Sequence, residues 1–160
     1  MVNRVTISKQ EWMKGSLLLF ILLLLNVTQS YAIQLTDVEW QKRPLLLFAP
    51  QHDSIHLQET QQLLQQNSCD LDDREMIISI IVSQGTSSID QKPISMEYAT
   101  KLRNQFGVPT EEFAVLLLGK DGGEKYRRYQ VPELDEIFSL IDGMPMRQDE
   151  MQDNPLDCRQ

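Results

Sequence analysis

The sequence predicts an α/β domain with a mixed sheet in the order βαβαββα, and three observations carry that prediction. Continuous apolar runs at Leu45 to Ala49, Met76 to Val82 and Phe113 to Leu118 suit strands covered on both faces. Helix-compatible stretches follow each of the first two runs. The third run enters Gly119-Lys120-Asp121-Gly122-Gly123 and leaves as the polar Glu124 to Tyr129, the signature of a hairpin between a buried and an exposed strand.

Taken in order, residues 1–32 read as a secretory signal: Arg4, Lys9 and Lys14 precede the apolar Leu17 to Leu25, and Ser30-Tyr31-Ala32 suits signal peptidase. That apolar run falls well short of the roughly 20 residues that cross a bilayer, so no stable membrane anchor is expected after cleavage. The domain is expected over 33–151, with a flexible acidic tail over 152–160 and loose order from 148. Pro50 ends the first strand. Ser54 or Asp53 caps a helix running to Gln66, with Ile55, Leu57, Leu63 and Leu64 as its partial apolar stripe. A polar link at 67–73 leads to the second strand, and Gly, Ser, Thr and Pro mark 83–93 as a loop. Ser95 then starts a helix that Gly107 stops. The Asp121-Gly122 step supplies the positive backbone angles of the hairpin turn. Leu134, Ile137, Phe138 and Ile141 recur at helical spacing behind Pro132, which places a last helix on the sheet.

The chain has 160 residues and a net charge of -8. Removal of residues 1–32 leaves 12 Lys/Arg against 22 Asp/Glu, enough chain for one domain and far too acidic for a phosphate backbone. Nucleic acid is therefore not an expected partner.

This strand order resembles the thioredoxin-like three-layer fold, whose enzymes keep a nucleophilic cysteine just after the first core strand, activated by a helix N-terminus. Here that position reads Pro50-Gln51-His52-Asp53-Ser54, and a serine without an activating base cannot perform thiol chemistry. No catalytic residue is assigned. Cys69 and Cys158, the only cysteines, lie far from any Cys-x-x-Cys pattern; they form either a structural disulfide or two unpaired thiols. His52 and His56 are an incomplete ligand pair, and Met144, Met146 and Met151 read as gap-filling residues, so neither metal nor cofactor is expected. Lys120-Asp121-Gly122-Gly123 lacks the order of a phosphate loop and is a hairpin tip. Arg147 forms an unusual pair with Asp142 across Met144-Pro145-Met146 and stands close to Asp149 and Glu150 in sequence, as a buried salt bridge or as a contact for a ligand carboxylate or a partner. Lys120, Asp121, Arg147 and Glu150 are the candidate binding residues.

Three segments together resemble one family: Trp40-x-x-Arg43-Pro44-Leu45-Leu46-Leu47-Phe48-Ala49-Pro50, Leu117-Leu118-Gly119-Lys120-Asp121-Gly122-Gly123-x-Lys125, and Ile141-Asp142-x-Met144-Pro145-Met146-Arg147-x-x-Glu150. The chain is similar to domain-of-unknown-function family 4174, whose domains also occur in secreted animal matrix proteins of the sushi-repeat and coiled-coil-domain-containing kind. The resemblance implies a peroxiredoxin-like branch of the thioredoxin fold and export to the periplasm or the outside of the cell, in what looks like a stand-alone bacterial form. It implies no catalytic residue and no role in adhesion. The expected function is a non-catalytic, exported domain that binds a protein or a small ligand. The alternative is a divergent thiol-disulfide or peroxide-reducing enzyme using Cys69.

Overall fold

The computed structural model describes residues 33–153 and 158, so the expected export signal lies outside the described residues. After a 3-10 turn at Leu35–Val38 the chain forms β1 (Arg43–Gln51), α1 (Ile55–Gln66), α2 (Ser68–Asp73), β2 (Met76–Gln84), β3 (Ser88–Ile89), β4 (Lys92–Pro93) and α3 (Met96–Phe106). It continues through β5 (Ala114–Leu118), β6 (Glu124–Arg128), α4 (Leu134–Asp142) and α5 (Pro145–Asp153). The sheet order is β4-β3-β2-β1-β5-β6. β1 and β2 are parallel, and β5 returns antiparallel against β1 in a register that pairs Leu45 with Leu117 and Phe48 with Ala114.

Alternation along the strands splits the core into two. Leu45, Leu47 and Ala49 face α1, α2 and α4 through Leu57, Leu64, Leu71, Ile137 and Ile141. Leu46 and Phe48 face α3 through Ala99 and Leu102. Each leucine, isoleucine or phenylalanine so buried contributes about 1.5–3 kcal/mol, which is why these runs are apolar without interruption. α3 has the ends its sequence promised: Ser95 Oγ accepts the Tyr98 N–H at 3.1 Å, and Gly107 takes the left-handed conformation.

Several expectations need correction. The polar link holds helix α2, of which Leu71 alone is buried. The loop over 83–93 contains the β3–β4 hairpin, turned by Asp90 and Gln91, both at positive φ. Among the two turn residues at Asp121-Gly122, only Gly122 has positive φ; the Asp121 carboxylate instead accepts the Gly123 N–H at 3.1 Å. Ile55 is exposed at the first turn of α1, outside the buried stripe. Residues 148–153, expected to be loose, belong to a helix that runs to Asp153: Pro145 is its first residue, and the Met144 carbonyl accepts the Gln148 N–H at 3.1 Å.

Candidate functional site

The C-terminal end of β1, where a thiol nucleophile would stand, is quiet. Ser54 occupies the cap position of α1, yet its hydroxyl turns back and donates to the Gln51 carbonyl at 2.7 Å without capping the helix. His52 donates from Nε2 to the Thr86 carbonyl at 2.8 Å, and the His56 ring packs on Phe113 with centroids 5.4 Å apart, so the two histidines serve different neighbours. Behind them the buried Arg103 donates to the carbonyls of Ala49, Ile81 and Pro109, stapling the ends of β1 and β2. Burial lowers its guanidinium pKa from the ordinary value, partly opposed by the charge of Glu111. An open groove of about 810 Å³ lies here, and its rim carries Glu111 and Glu112, the wrong charge for holding a thiolate.

Cys69 is no substitute. It sits on α2, beyond the opposite end of the sheet, across a strand of nine residues or about 27 Å, and it is disulfide-bonded to Cys158. That bond draws position 158 back onto the domain, so the expected free tail is tethered there.

The N-terminal end of β1 is built differently. Continuing the β1–β5 register by two residues sets Arg43 beside Gly119, and Trp40 N–H reaches the Lys120 carbonyl at 2.6 Å. Arg43, 1 % exposed, grips the Glu150 carboxylate with both terminal nitrogens at 2.9 Å. Lys120, 9 % exposed, joins the same carboxylate at 2.7 Å and also pairs with Glu75. Burial works to raise the Glu150 pKa, but the hydrogen bonds from Arg43 and Lys120 outweigh it and hold the carboxyl below the ordinary glutamate range. Asp121 stands apart on the exposed hairpin, paired with Lys125 at 2.8 Å; that hydrogen bond keeps its carboxyl below the usual range.

Arg147 belongs to a neighbouring cluster. The pairing with Asp142 that the sequence suggested is present at 3.2 Å, whereas the place expected for Asp149 and Glu150 is taken by Asp73. Arg74 completes that cluster, reaching Asp142 at 2.7 Å and lying 4.3 Å from the centroid of the Phe138 ring. Of the four candidate binding residues, the fold thus brings Lys120 and Glu150 into direct contact, leaves Asp121 nearby, and commits Arg147 to holding α5 against α2.

A cleft of about 260 Å³ opens on this end of the sheet. Its walls are Trp40 and Arg43, then Gly119, Lys120, Asp121 and Lys125, then Met144, Pro145 and Met146. Every one of these residues comes from the three separated segments that carry the family resemblance. Trp40 and Met146 are 65 % and 44 % exposed at its mouth. Trp40 and Arg43 were missed as site residues because their role depends on the β1–β5 register, which a single sequence does not display; the segments themselves were visible.

Comparison with known proteins agrees on the fold. A reduced 2-Cys peroxiredoxin of Plasmodium vivax superposes with a TM-score of 0.57 at 12% identity, covering 73% of this chain and 85% of the other. Thioredoxin peroxidase I of Plasmodium yoelii gives 0.52 at 17% identity, over 79% and 84%. The fold is thioredoxin-like. Among sequence relatives, coiled-coil domain-containing protein 80 of Danio rerio is 27% identical over 73% of this chain and 15% of its own length. The sushi repeat-containing protein SRPX2 of Bos taurus is 27% identical over 93% and 33%, and SRPX of Rattus norvegicus 29% over 79% and 28%. The chain therefore spans a third or less of the length of these relatives. The family model described as domain of unknown function (DUF4174) matches residues 34–150, and the chain belongs to that family.

Proposed function

We propose that this is an exported, non-catalytic thioredoxin-like domain that binds a protein or small ligand at the Trp40 cleft, with Lys120 and Asp121 as polar contacts and Glu150 and Arg147 bracing the wall from behind. One observation carries the reading: the nucleophile position is filled by Ser54 under an acidic rim, while both sulfurs are joined at the other end of the sheet. The disulfide and the export signal read from residues 1–32 support a periplasmic or extracellular location. Among the described residues no helix is long and apolar enough to cross a membrane.

The test compares the purified protein with Cys69→Ser in disulfide-reduction and peroxide-turnover assays. Both are expected to give the buffer rate. Turnover that disappears with Cys69 would overturn the binding reading in favour of a thiol enzyme.

A further inference from the structure

Resting on that reading, we propose that the Trp40 cleft takes a peptide segment: one uncharged, apolar side chain lodges between Trp40 and Met146, and the adjoining backbone carbonyl is received by the polar floor. Trp40 is the first ground. It is a bulky residue at φ 64, a conformation that costs roughly 1–3 kcal/mol, and its ring is nonetheless left 65 % exposed. Strain of that size is retained where the side chain's placement matters, and a rigid aromatic at a cleft mouth is the residue type that anchors a partner.

The floor decides the ligand's charge. Arg43 and Lys120 are matched by Glu75 and Glu150, and Lys125 by Asp121, with the Glu150 and Asp121 contacts at 2.7–2.9 Å. An added anion or cation would unbalance a partly buried set that is already neutral, which is costly. Unused donors remain: the Lys125 ammonium is bonded to Asp121 alone among the described residues, and Arg43 Nε, behind it, has no hydrogen-bond partner there either. A neutral carbonyl oxygen suits such donors, and the peptide unit supplies one. The remaining wall, Met144, Pro145 and Met146, is apolar and adaptable. At about 260 Å³ the cleft is smaller than the roughly 300–1,000 Å³ of drug- or cofactor-sized sites, and suits one side chain with its peptide unit.

The chain has two tryptophans, Trp12 in the expected export signal and Trp40, so Trp12→Phe in the full chain, like cleavage after Ala32, leaves Trp40 as the only indole. In that background, N-acetyl-leucinamide is expected to shift Trp40 emission saturably, with a dissociation constant on the order of millimolar for so small a probe. Sodium acetate and glucose are expected to give no saturable change. Met146→Ala should weaken binding about threefold, and Trp40→Ala, followed by backbone amide NMR at Gly119, Lys120 and Met144, at least about tenfold. Silence toward the amide in both readouts, or saturation by acetate or glucose instead, would overturn the peptide assignment. Undiminished binding in Trp40→Ala would overturn the site while leaving a binding domain. Cysteine-dependent turnover, by contrast, would strike the underlying reading.

Discussion

At the C-terminal end of β1 the polar side chains are turned toward backbone carbonyls, as with Ser54 on Gln51, His52 on Thr86 and Arg103 on Ala49; at the N-terminal end they are paired with one another and wall a cleft. The first arrangement finishes strand ends. The second ties together three separate segments of the chain, through Arg43, Lys120 and Glu150, the outer two 107 positions apart. One edge of the sheet is thus closed on its own backbone, while the residues that carry the family resemblance gather at the other. The overall architecture alone directs attention to the first edge, whereas the proposed site lies at the second.

The contrast is broken most severely by Arg43→Ala. It removes a fully buried side chain and one of the two cations on the half-buried Glu150 carboxylate, and urea unfolding should record a loss of about 3–5 kcal/mol. Next in size is the paired substitution Cys69→Ser with Cys158→Ser. Loop entropy over the 89-residue separation sets an upper bound of about 4–5 kcal/mol, and about 2–4 kcal/mol is expected in the same experiment, with peroxide turnover still at the buffer rate.

Acidification sharpens the comparison further. Because the Glu150 pKa is lower in the folded chain than in the unfolded one, the unfolded chain binds more protons in the interval between the two values. The stability this carboxylate contributes is complete above the ordinary glutamate pKa of about 4.3 and is lost as pH falls through the depressed folded value. Glu150→Gln should flatten that part of a stability-against-pH curve. At the other end of β1, Ser54→Ala should change stability by less than about 0.5 kcal/mol, since the hydroxyl does not cap α1; a loss of 1 kcal/mol or more would show a working cap.

The elements read correctly from sequence were those whose signal is local. Leu45 to Ala49 and Phe113 to Leu118 are apolar because both faces of their strands are covered, and Ser95 with Gly107 marks the two ends of α3 by side-chain and backbone chemistry alone. Helices α2 and α5 lacked such a signal. Leu71 is the one buried residue of α2 and Arg147 that of α5, so both are fixed by ion pairs to other elements, and no apolar stripe announces them. One partner of Arg147, Asp142, was legible five positions away; the other was not, because Asp149 and Glu150 are close in sequence but Asp73 arrives from 74 positions away. The β3–β4 turn was hidden because Asp90-Gln91 adopts a conformation usually signalled by Asn-Gly or Asp-Gly. Within the site, Lys120 and Glu150 were legible as charged residues in unusual segments, whereas their shared contact with Arg43 exists only once β1 and β5 are in register.

The Cys69–Cys158 bridge also decides how the domain would respond to mechanical load. Tension applied to its two termini can pay out only the chain ahead of Cys69, namely β1 and α1, while everything enclosed by the bond is shielded from extension. The slack released before the covalent stop is about 120 Å for residues 33–68. A single-molecule pulling trace that ran beyond it would report a bridge that had been opened.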